Sequence, residues 1–129
     1  MISILCSGSR GDVQPYIALA QIIQQEGHAV RIVGMKDFGD FVKSYGIDFY
    51  PIEADFESLN VDPKMLEAAR TSDNPLKMLL TFNKMKNYGN SLAVEFYKAC
   101  MESDVLVYHP GITLAYFAAK ELGIPAVLA

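Results

Sequence analysis

The chain has 129 residues, a length that fits one domain rather than a multi-domain assembly. Hydrophobic residues make up 51% of it and charged residues 20%, which excludes a disordered segment and favours a globular protein with a buried core. The net charge of −4 argues against a dedicated nucleic-acid binder, which needs a basic face. The two cysteines, Cys6 and Cys100, are too few for a disulfide framework and indicate a reducing, cytoplasmic setting.

The first part of the sequence alternates predicted strands and helices. Short apolar runs closed by glycine predict strands, and apolar residues at helical spacing predict helices. The predicted elements are strands at 2–6, 29–33 and 47–52 and helices at 15–25 and 38–45. The first helix is expected to begin at Pro15 because proline is tolerated in a first helical turn. Alternation of this kind is typical of a parallel sheet covered by helices.

The second part continues the pattern after a loop predicted at 53–62. The predicted elements are helices at 64–71, 76–101 and 112–122, a strand at 105–108 and a last strand ending at 129. We therefore predict one α/β domain with a doubly wound parallel sheet of at least five strands and helices on both faces. Ligands bind such sheets at the carboxyl ends of the strands, where the strand order reverses. The loops at 7–14 and 108–113 are expected to face each other there.

Residues 63–88 differ in charge from the rest of the chain. They hold five basic and two acidic residues and three of the six methionines. Basic residues beside flexible apolar ones suit an amphiphilic ligand or an anionic membrane. The other interpretation is a helix with an ordinary core face and solvated lysines.

The loop after the first strand does not fit a nucleotide-binding motif. A dinucleotide fingerprint needs G-x-G-x-x-G, whereas this loop offers only Gly8 and Gly11. The Walker A pattern fails because no Gly-Lys-Ser/Thr follows. A dinucleotide-dependent oxidoreductase is therefore disfavoured, and no group of His, Cys and carboxylate residues has metal-ligand spacing.

Three segments together form a more specific pattern. They are Gly8-Ser-Arg-Gly-Asp-Val-Gln-Pro-Tyr-Ile-Ala-Leu-Ala20, Gly27-His-Ala-Val30 and Ala119-Lys-Glu-Leu-Gly-Ile-Pro-Ala126. They resemble the N-terminal, acceptor-binding domain of the two-domain (GT-B) glycosyltransferases, in the family 28 and sterol glucosyltransferase branch. The resemblance implies a Rossmann-like half of a GT-B fold, with residues 1–129 as one acceptor-binding domain and the donor-binding C-terminal domain absent.

The resemblance also implies a reaction. The expected function is inverting transfer of a hexose, with glucose the expected sugar, from a nucleoside-diphosphate sugar to a hydroxyl of a sterol, lipid or natural-product acceptor. The resemblance implies neither a cofactor nor a metal. The nucleoside-diphosphate sugar is a co-substrate, expected to be bound mainly by the missing domain. This chain alone is expected to be inactive. The alternative is a non-catalytic binding or scaffold subunit of a split two-chain glycosyltransferase.

The expected partners follow from these two hypotheses. They are a small-molecule or lipid acceptor and a donor-binding domain supplied in cis or in trans, with no nucleic acid. Residues 64–88 are the candidate for a peripheral membrane contact of an otherwise cytoplasmic protein.

The family's general base lies in the first loop, and Asp12 occupies the matching position. A carboxylate there can accept the proton of the acceptor hydroxyl. Its alternative role is that of a helix N-cap, which favours the ionised carboxylate and weakens it as a base. His109 is the second predicted catalytic residue, in an interchanged pair with Asp12, and its alternative role is only to line the pocket or to precede the turn at Pro110 and Gly111. The residues expected to line the acceptor site or cleft are Gly8, Ser9, Arg10, Gly11, Pro110 and Gly111.

Overall fold

A computed structural model describes residues 1–53 and 89–129. The chain divides into two compact units, Met1–Glu53 with Glu95–Ala129 and, separately, Ala54–Val94. The strands are β1 (Ile2–Leu5), β2 (Val30–Met35), β3 (Asp48–Ile52), β4 (Val105–Tyr108) and β5 (Ala126–Leu128). The helices are α1 (Arg10–Gln25), α2 (Gly39–Lys43), which follows a 3₁₀ turn at Lys36–Phe38, α3, described over 89–100, and α4 (Leu114–Leu122).

The five strands form one parallel sheet in the order β3-β2-β1-β4-β5. The predicted α/β class with a doubly wound parallel sheet is therefore confirmed. Strand order reverses at β1, which pairs with β2 on one side and with β4 on the other. Leu5 and Tyr108 are register partners at the carboxyl ends of β1 and β4. The loops that follow these two strands therefore begin side by side.

One face of the sheet packs against α1. Alternate residues of a strand point to the same face, and Ile4 of β1 and Ile32 of β2, which are register partners, are both fully buried on it. The helix contributes the members of its apolar stripe, which are Val13, Tyr16, Ile17 and Ala20. This packing fixes the orientation of α1, and with it the face on which the residues of its first turns lie.

The helix α1 begins at Arg10 and not at the predicted Pro15. The prediction placed proline in the first turn, but Ser9 is the N-cap and the Asp12 side chain accepts a hydrogen bond from its N–H. Hydrogen bonds at the cap therefore start the helix earlier, and Pro15 lies inside it. A proline there leaves out one backbone hydrogen bond without stopping a helix whose apolar face is buried.

The remaining boundaries differ from the predictions in smaller ways. The predicted helix at 38–45 is a 3₁₀ turn followed by the five-residue α2, and α4 begins two residues later than predicted. The predicted strand at 105–108 is confirmed, and the other predicted strands differ by one or two residues at one or both ends. The predictions for 54–62, 64–71 and 76–88 lie outside the described residues. Over 1–53 and 89–129, no helix has both the length and the hydropathy needed to cross a membrane.

Candidate functional site

The carboxyl ends of β1 and β4 bring the two predicted loops together. The N–H of His109 donates to the Leu5 carbonyl at 2.9 Å, so the first residue after β4 is held by the last residue of β1. Ser7 lies beside Gly111, since a Cβ placed on Gly111 would be 3.6 Å from the Ser7 hydroxyl. The site is therefore built on adjacent strands of the sheet and not on one flexible loop.

Asp12 lies in the first turn of α1. Its Oδ2 accepts a hydrogen bond from the Ser9 N–H at 2.6 Å and another from the Ser9 hydroxyl at 2.8 Å. The N-cap predicted at Asp12 is Ser9 instead. Asp12 is the third residue of the helix, and its side chain reaches back to Ser9. Over the described residues, no donor contacts Oδ1, so this oxygen is the one left for a ligand.

The surroundings of Asp12 lower the pKa of its carboxyl group. The largest cause is the hydrogen bond from the Ser9 N–H, followed by the bond from the Ser9 hydroxyl. Removal from water acts in the opposite direction, and the positive charge of a protonated His109 lowers the pKa further. Asp12 is therefore ionised at neutral pH, ready to accept a proton but a weaker base than an ordinary aspartate.

Gly8 makes room for the Asp12 carboxylate. Its backbone φ is +119°, a conformation that residues with a side chain rarely adopt. A Cβ on Gly8 would also overlap the Asp12 carboxylate, with the Asp12 Cγ only 2.9 Å away. Gly8 therefore acts through Asp12, because any side chain at this position would displace the carboxylate.

His109 is half-buried directly after β4. Its Nδ1 accepts a hydrogen bond from the Gly111 N–H at 3.0 Å. Its ring meets the Tyr16 ring edge to face, with the centroids 6.0 Å apart and the planes at 80°. Asp12 and Tyr16 are four residues apart on α1 and so share a helix face, which places the Asp12 carboxylate on the side of the helix near His109. The structure therefore brings the two predicted catalytic residues to one site.

Sequence reasoning missed Tyr16 as a residue of this site. Its ring is buried and its hydroxyl donates to the Ala129 carbonyl at 2.6 Å. Burial raises the pKa of the Tyr16 hydroxyl, with smaller contributions from negative charge on Cys6 and Asp12. The available signal was its i, i+4 relation to Asp12, but Tyr16 also belongs to the apolar stripe of α1 and was interpreted as core.

The other predicted site residues are exposed. The Ser9 hydroxyl is engaged with Asp12, and the Arg10 guanidinium lies over the Phe41 ring, 4.3 Å from its centroid. Gly11 is in the first turn of α1, and Pro110 lies in the turn after His109. Of the predicted lining residues, Gly8, Ser9 and Gly111 are thus the ones whose contacts with Asp12 or His109 are described.

The remaining candidates for reactivity among the described residues are the two cysteines and possible metal-binding groups. Both thiols are buried, which raises the pKa of Cys6 to about 12 and that of Cys100 to about 11, so neither is a reactive thiolate. Within 1–53 and 89–129, no three His, Cys, Asp or Glu side chains are grouped to hold a metal ion.

Comparison with known sequences agrees with the resemblance. Residues 2–129 match the glycosyltransferase family 28 N-terminal domain. The sterol 3-beta-glucosyltransferase of Candida albicans is 35% identical over 127 residues, which are 96% of this chain and 8% of that protein. The sterol 3-beta-glucosyltransferase of Pichia angusta is 36% identical over 123 residues, which are 95% of this chain and 10% of that protein. The chain thus spans about a tenth of the length of these relatives.

Solved structures share the fold. The glycotransferase of kitacinnamycin has a TM-score of 0.68 at 19% identity, over 98% of this chain and 29% of that one. The glycosyltransferase SnogD from Streptomyces nogalater has a TM-score of 0.62 at 19% identity, over 99% of this chain and 34% of that one. Because the family model matches residues 2–129, the chain belongs to the glycosyltransferase family 28 N-terminal domains.

Proposed function

We propose that this chain is the acceptor-binding half of an inverting glycosyltransferase that moves a hexose, with glucose the expected sugar, from a nucleoside-diphosphate sugar to an acceptor hydroxyl. The observation that carries the proposal is the Asp12 carboxylate. It lies at the point where strand order reverses, it is ionised at neutral pH, and one of its oxygens is left for a ligand.

The proposed step is a single displacement. The acceptor hydroxyl gives its proton to Asp12 Oδ1 while its oxygen forms a bond to the anomeric carbon of the sugar. The bond from that carbon to the diphosphate oxygen breaks, and its electron pair leaves with the diphosphate. Stabilisation of the departing diphosphate is assigned to the donor-binding domain. Asp12 therefore supplies general-base catalysis from this half.

The names of the relatives support a sterol or another amphiphilic molecule as the acceptor. The basic segment 64–88, which lies outside the described residues, suits such a ligand and is also the proposed peripheral membrane contact of a cytoplasmic protein. Flotation of the chain with anionic vesicles, compared with neutral vesicles, tests the membrane contact directly. Equal recovery on both kinds of vesicle would contradict it.

The donor-binding domain is proposed in cis, with a separate subunit in trans as the alternative. The exposed apolar surface around β5 supports either, since Val127 and Leu128 are 51% and 59% exposed on the last strand of the described sheet. An edge strand with exposed apolar side chains is a site for further polypeptide. An open reading frame that continues into a donor-binding domain supports the first arrangement, and a separate donor gene after a stop codon supports the split pair.

A dinucleotide-dependent oxidoreductase fits the site poorly. In dinucleotide-binding sheets the pyrophosphate binds the N-terminus of the first helix, where backbone N–H groups and the helix dipole favour an anion. Here the Asp12 carboxylate lies in that first turn. Its negative charge opposes a phosphate at the same place.

The substitution Asp12→Asn tests the proposed base in the complete transferase. Asparagine keeps an oxygen that accepts from Ser9 but cannot take a proton at neutral pH, so we expect kcat to fall about 10²- to 10⁴-fold. Turnover of nucleoside-diphosphate glucose with a sterol acceptor is the measurement. The matched control is Glu26→Gln at the exposed far end of α1, for which we expect wild-type turnover. A folded Asp12→Asn variant with wild-type kcat would refute the proposal.

A further inference from the structure

His109 is held by contacts on every part of the residue. Its backbone N–H donates to Leu5, and its carbonyl accepts from the Ile112 N–H at 2.8 Å. The Gly111 N–H binds its Nδ1, and the buried Tyr16 ring packs against its ring. Both the main chain and the imidazole of His109 are thus held in place. A residue that only filled space would not need its ring to be held by a hydrogen bond.

The hydrogen bond from Gly111 decides which ring nitrogen carries the proton. A neutral imidazole has one N–H donor and one acceptor nitrogen. A backbone N–H can only donate, so Nδ1 must be the acceptor and the hydrogen of neutral His109 lies on Nε2. In this form Nε2 has no lone pair with which to take a proton from an acceptor hydroxyl.

The identity of residue 111 is part of this arrangement. A Cβ on Gly111 would lie 3.0 Å from Nδ1 and 3.3 Å from Cε1 of His109. These distances are tighter than ordinary van der Waals contact, so a side chain at 111 would require the imidazole to move by a few tenths of an ångström and would strain the hydrogen bond from the Gly111 N–H. The absence of a side chain at 111 thus allows the close approach of the ring.

Tyr16 restrains the ring from the α1 side. Its own position is fixed by burial and by the hydrogen bond from its hydroxyl to the Ala129 carbonyl. The edge-to-face contact places the fixed Tyr16 ring against the imidazole of His109 on the side of α1. The main chain after β5 is thus connected, through Tyr16, to the orientation of His109.

We propose that His109 is a hydrogen-bond donor to the acceptor hydroxyl and not its base, and that Gly111 and Tyr16 are positioning residues that hold it in the Nε2–H form. The role rests on the proposed function, in which Asp12 takes the proton. The hydroxyl oxygen accepts from Nε2–H while its hydrogen is directed to Asp12 Oδ1. His109 therefore orients the hydroxyl. The bonds formed and broken in the displacement are the same as those described above.

The protonation form is measured directly in the chain labelled with ¹⁵N-histidine. Two-bond ¹H–¹⁵N correlation at about pH 8.5, where an ordinary imidazole is neutral, separates a protonated from an unprotonated ring nitrogen. The chain has two histidines, so His28→Gln gives a spectrum of His109 alone. We expect Nε2 in the protonated range and Nδ1 in the unprotonated range. The reverse pattern would overturn the inference without touching the role of Asp12.

Two substitutions of His109 separate donor from base in the complete transferase. Glutamine places an amide N–H near the position of Nε2 but offers no nitrogen that accepts a proton, whereas alanine removes both. We expect His109→Gln to keep kcat within about tenfold of wild type and His109→Ala to lose about 10²-fold. Equal losses in the two variants would overturn the donor role. The Asp12→Asn variant tests the proposed base separately from the His109 variants. Failure of the donor role can therefore be distinguished from failure of the proposed function.

The positioning residues are tested by the same spectrum. We expect Gly111→Ala and Tyr16→Leu to change the His109 nitrogen signals towards a mixture of both forms and to lower kcat more than they raise KM. The matched control is Gly89→Ala in α3, where a Cβ meets nothing within 4 Å. Folded Gly111→Ala and Tyr16→Leu variants with the wild-type His109 spectrum would contradict the positioning roles.

Discussion

The Asp12 carboxylate stabilises the start of α1 and is also the proposed base, and the hydrogen bonds from Ser9 lower its pKa. The hydrogen bonds from Ser9 stabilise the first turn of α1, and they do so best when the carboxylate is ionised. The same ionised form is the one that accepts a proton from a ligand. The proposed base is therefore well oriented by the helix start but weak, and under this proposal the orientation of the acceptor hydroxyl becomes more important for the rate.

The pH dependence of stability follows from the lowered pKa of Asp12. A carboxyl group with a lower pKa in the folded state stabilises the fold above its unfolded pKa of about 4, and this contribution is lost as the pH falls through the folded pKa. Asparagine does not titrate. We therefore expect the difference in free energy of unfolding between wild type and Asp12→Asn to be largest near neutral pH and to shrink below about pH 4.

Urea unfolding of both proteins at several pH values measures this difference. Ser9→Ala provides a graded comparison, because it removes the hydroxyl donor and keeps the N–H, which is the larger cause. We expect the free energy of unfolding of Ser9→Ala to differ from wild type less than that of Asp12→Asn, with the same dependence on pH. A difference for Asp12→Asn that stays constant from pH 7 to about pH 2.5 would contradict the assigned hydrogen bonds.

Part of the site was predictable from the sequence at the level of single residues. Asp12, in the first turn of α1, and His109, in the turn after β4, both follow strands that the apolar pattern identifies, so their meeting followed from the sheet order. The Gly111 contact with Nδ1 was not predictable, because it depends on the path of a turn and not on residue type. The position of Arg10 over Phe41 was also not predictable, since exposed cations have many available partners.

At the scale of elements, a buried polar cluster joins β1, β2 and the end of α3. Arg31 is 7% exposed, and it donates to the Ser3 hydroxyl at 3.0 Å and to the Ala99 carbonyl at 2.5 Å. Its guanidinium also pairs with Glu102 at 3.3 Å, and Ser103 donates to the Ser3 hydroxyl at 2.7 Å. The cation thus meets a carbonyl near the end of α3, where the helix dipole is negative.

Replacing Arg31 with methionine tests what this cluster contributes to stability. Methionine fills a similar volume but leaves the Ala99 carbonyl without this donor, so we expect the free energy of unfolding to fall by about 2–3 kcal/mol. The comparison is Glu102→Gln, which alters an ion pair whose carboxylate side is 78% exposed and should cost less than about 1 kcal/mol. Urea unfolding measures both, and equal losses would show that the surface ion pair carries the effect.

The sequence predicted the elements better than the contacts between them. Strand positions followed from short apolar runs, because such runs have few other ways to bury their side chains. The start of α1 was misplaced, since hydrogen bonds of Ser9 and Asp12 outweigh the position of Pro15. Arg31 was counted within an apolar strand, because nothing local indicates that Ser3 and Ala99 would meet it.

At the scale of the whole molecule, the sheet has one edge that is poorly covered among the described residues. Beside Val127 and Leu128 of β5, α4 exposes Leu114, Tyr116 and Phe117 by 39%, 52% and 63%. The chain corresponds to 29% of the kitacinnamycin glycotransferase and 34% of SnogD, so these neighbours contain much more polypeptide. The exposed apolar surface of β5 and α4 is consistent with the proposed pairing with a donor-binding domain.

The proposed division into an acceptor-binding and a donor-binding half gives a prediction about the donor. The first turn of α1 holds a carboxylate where a phosphate would otherwise bind, and the loop before it lacks the glycine spacing of a phosphate-binding motif. We therefore expect calorimetric titration of the chain with nucleoside-diphosphate glucose to show binding weaker than about 1 mM and no transfer to a sterol. The complete transferase, titrated in the same buffer, is the positive control. Tight one-to-one binding by the chain alone would mean that this half contains a donor site of its own.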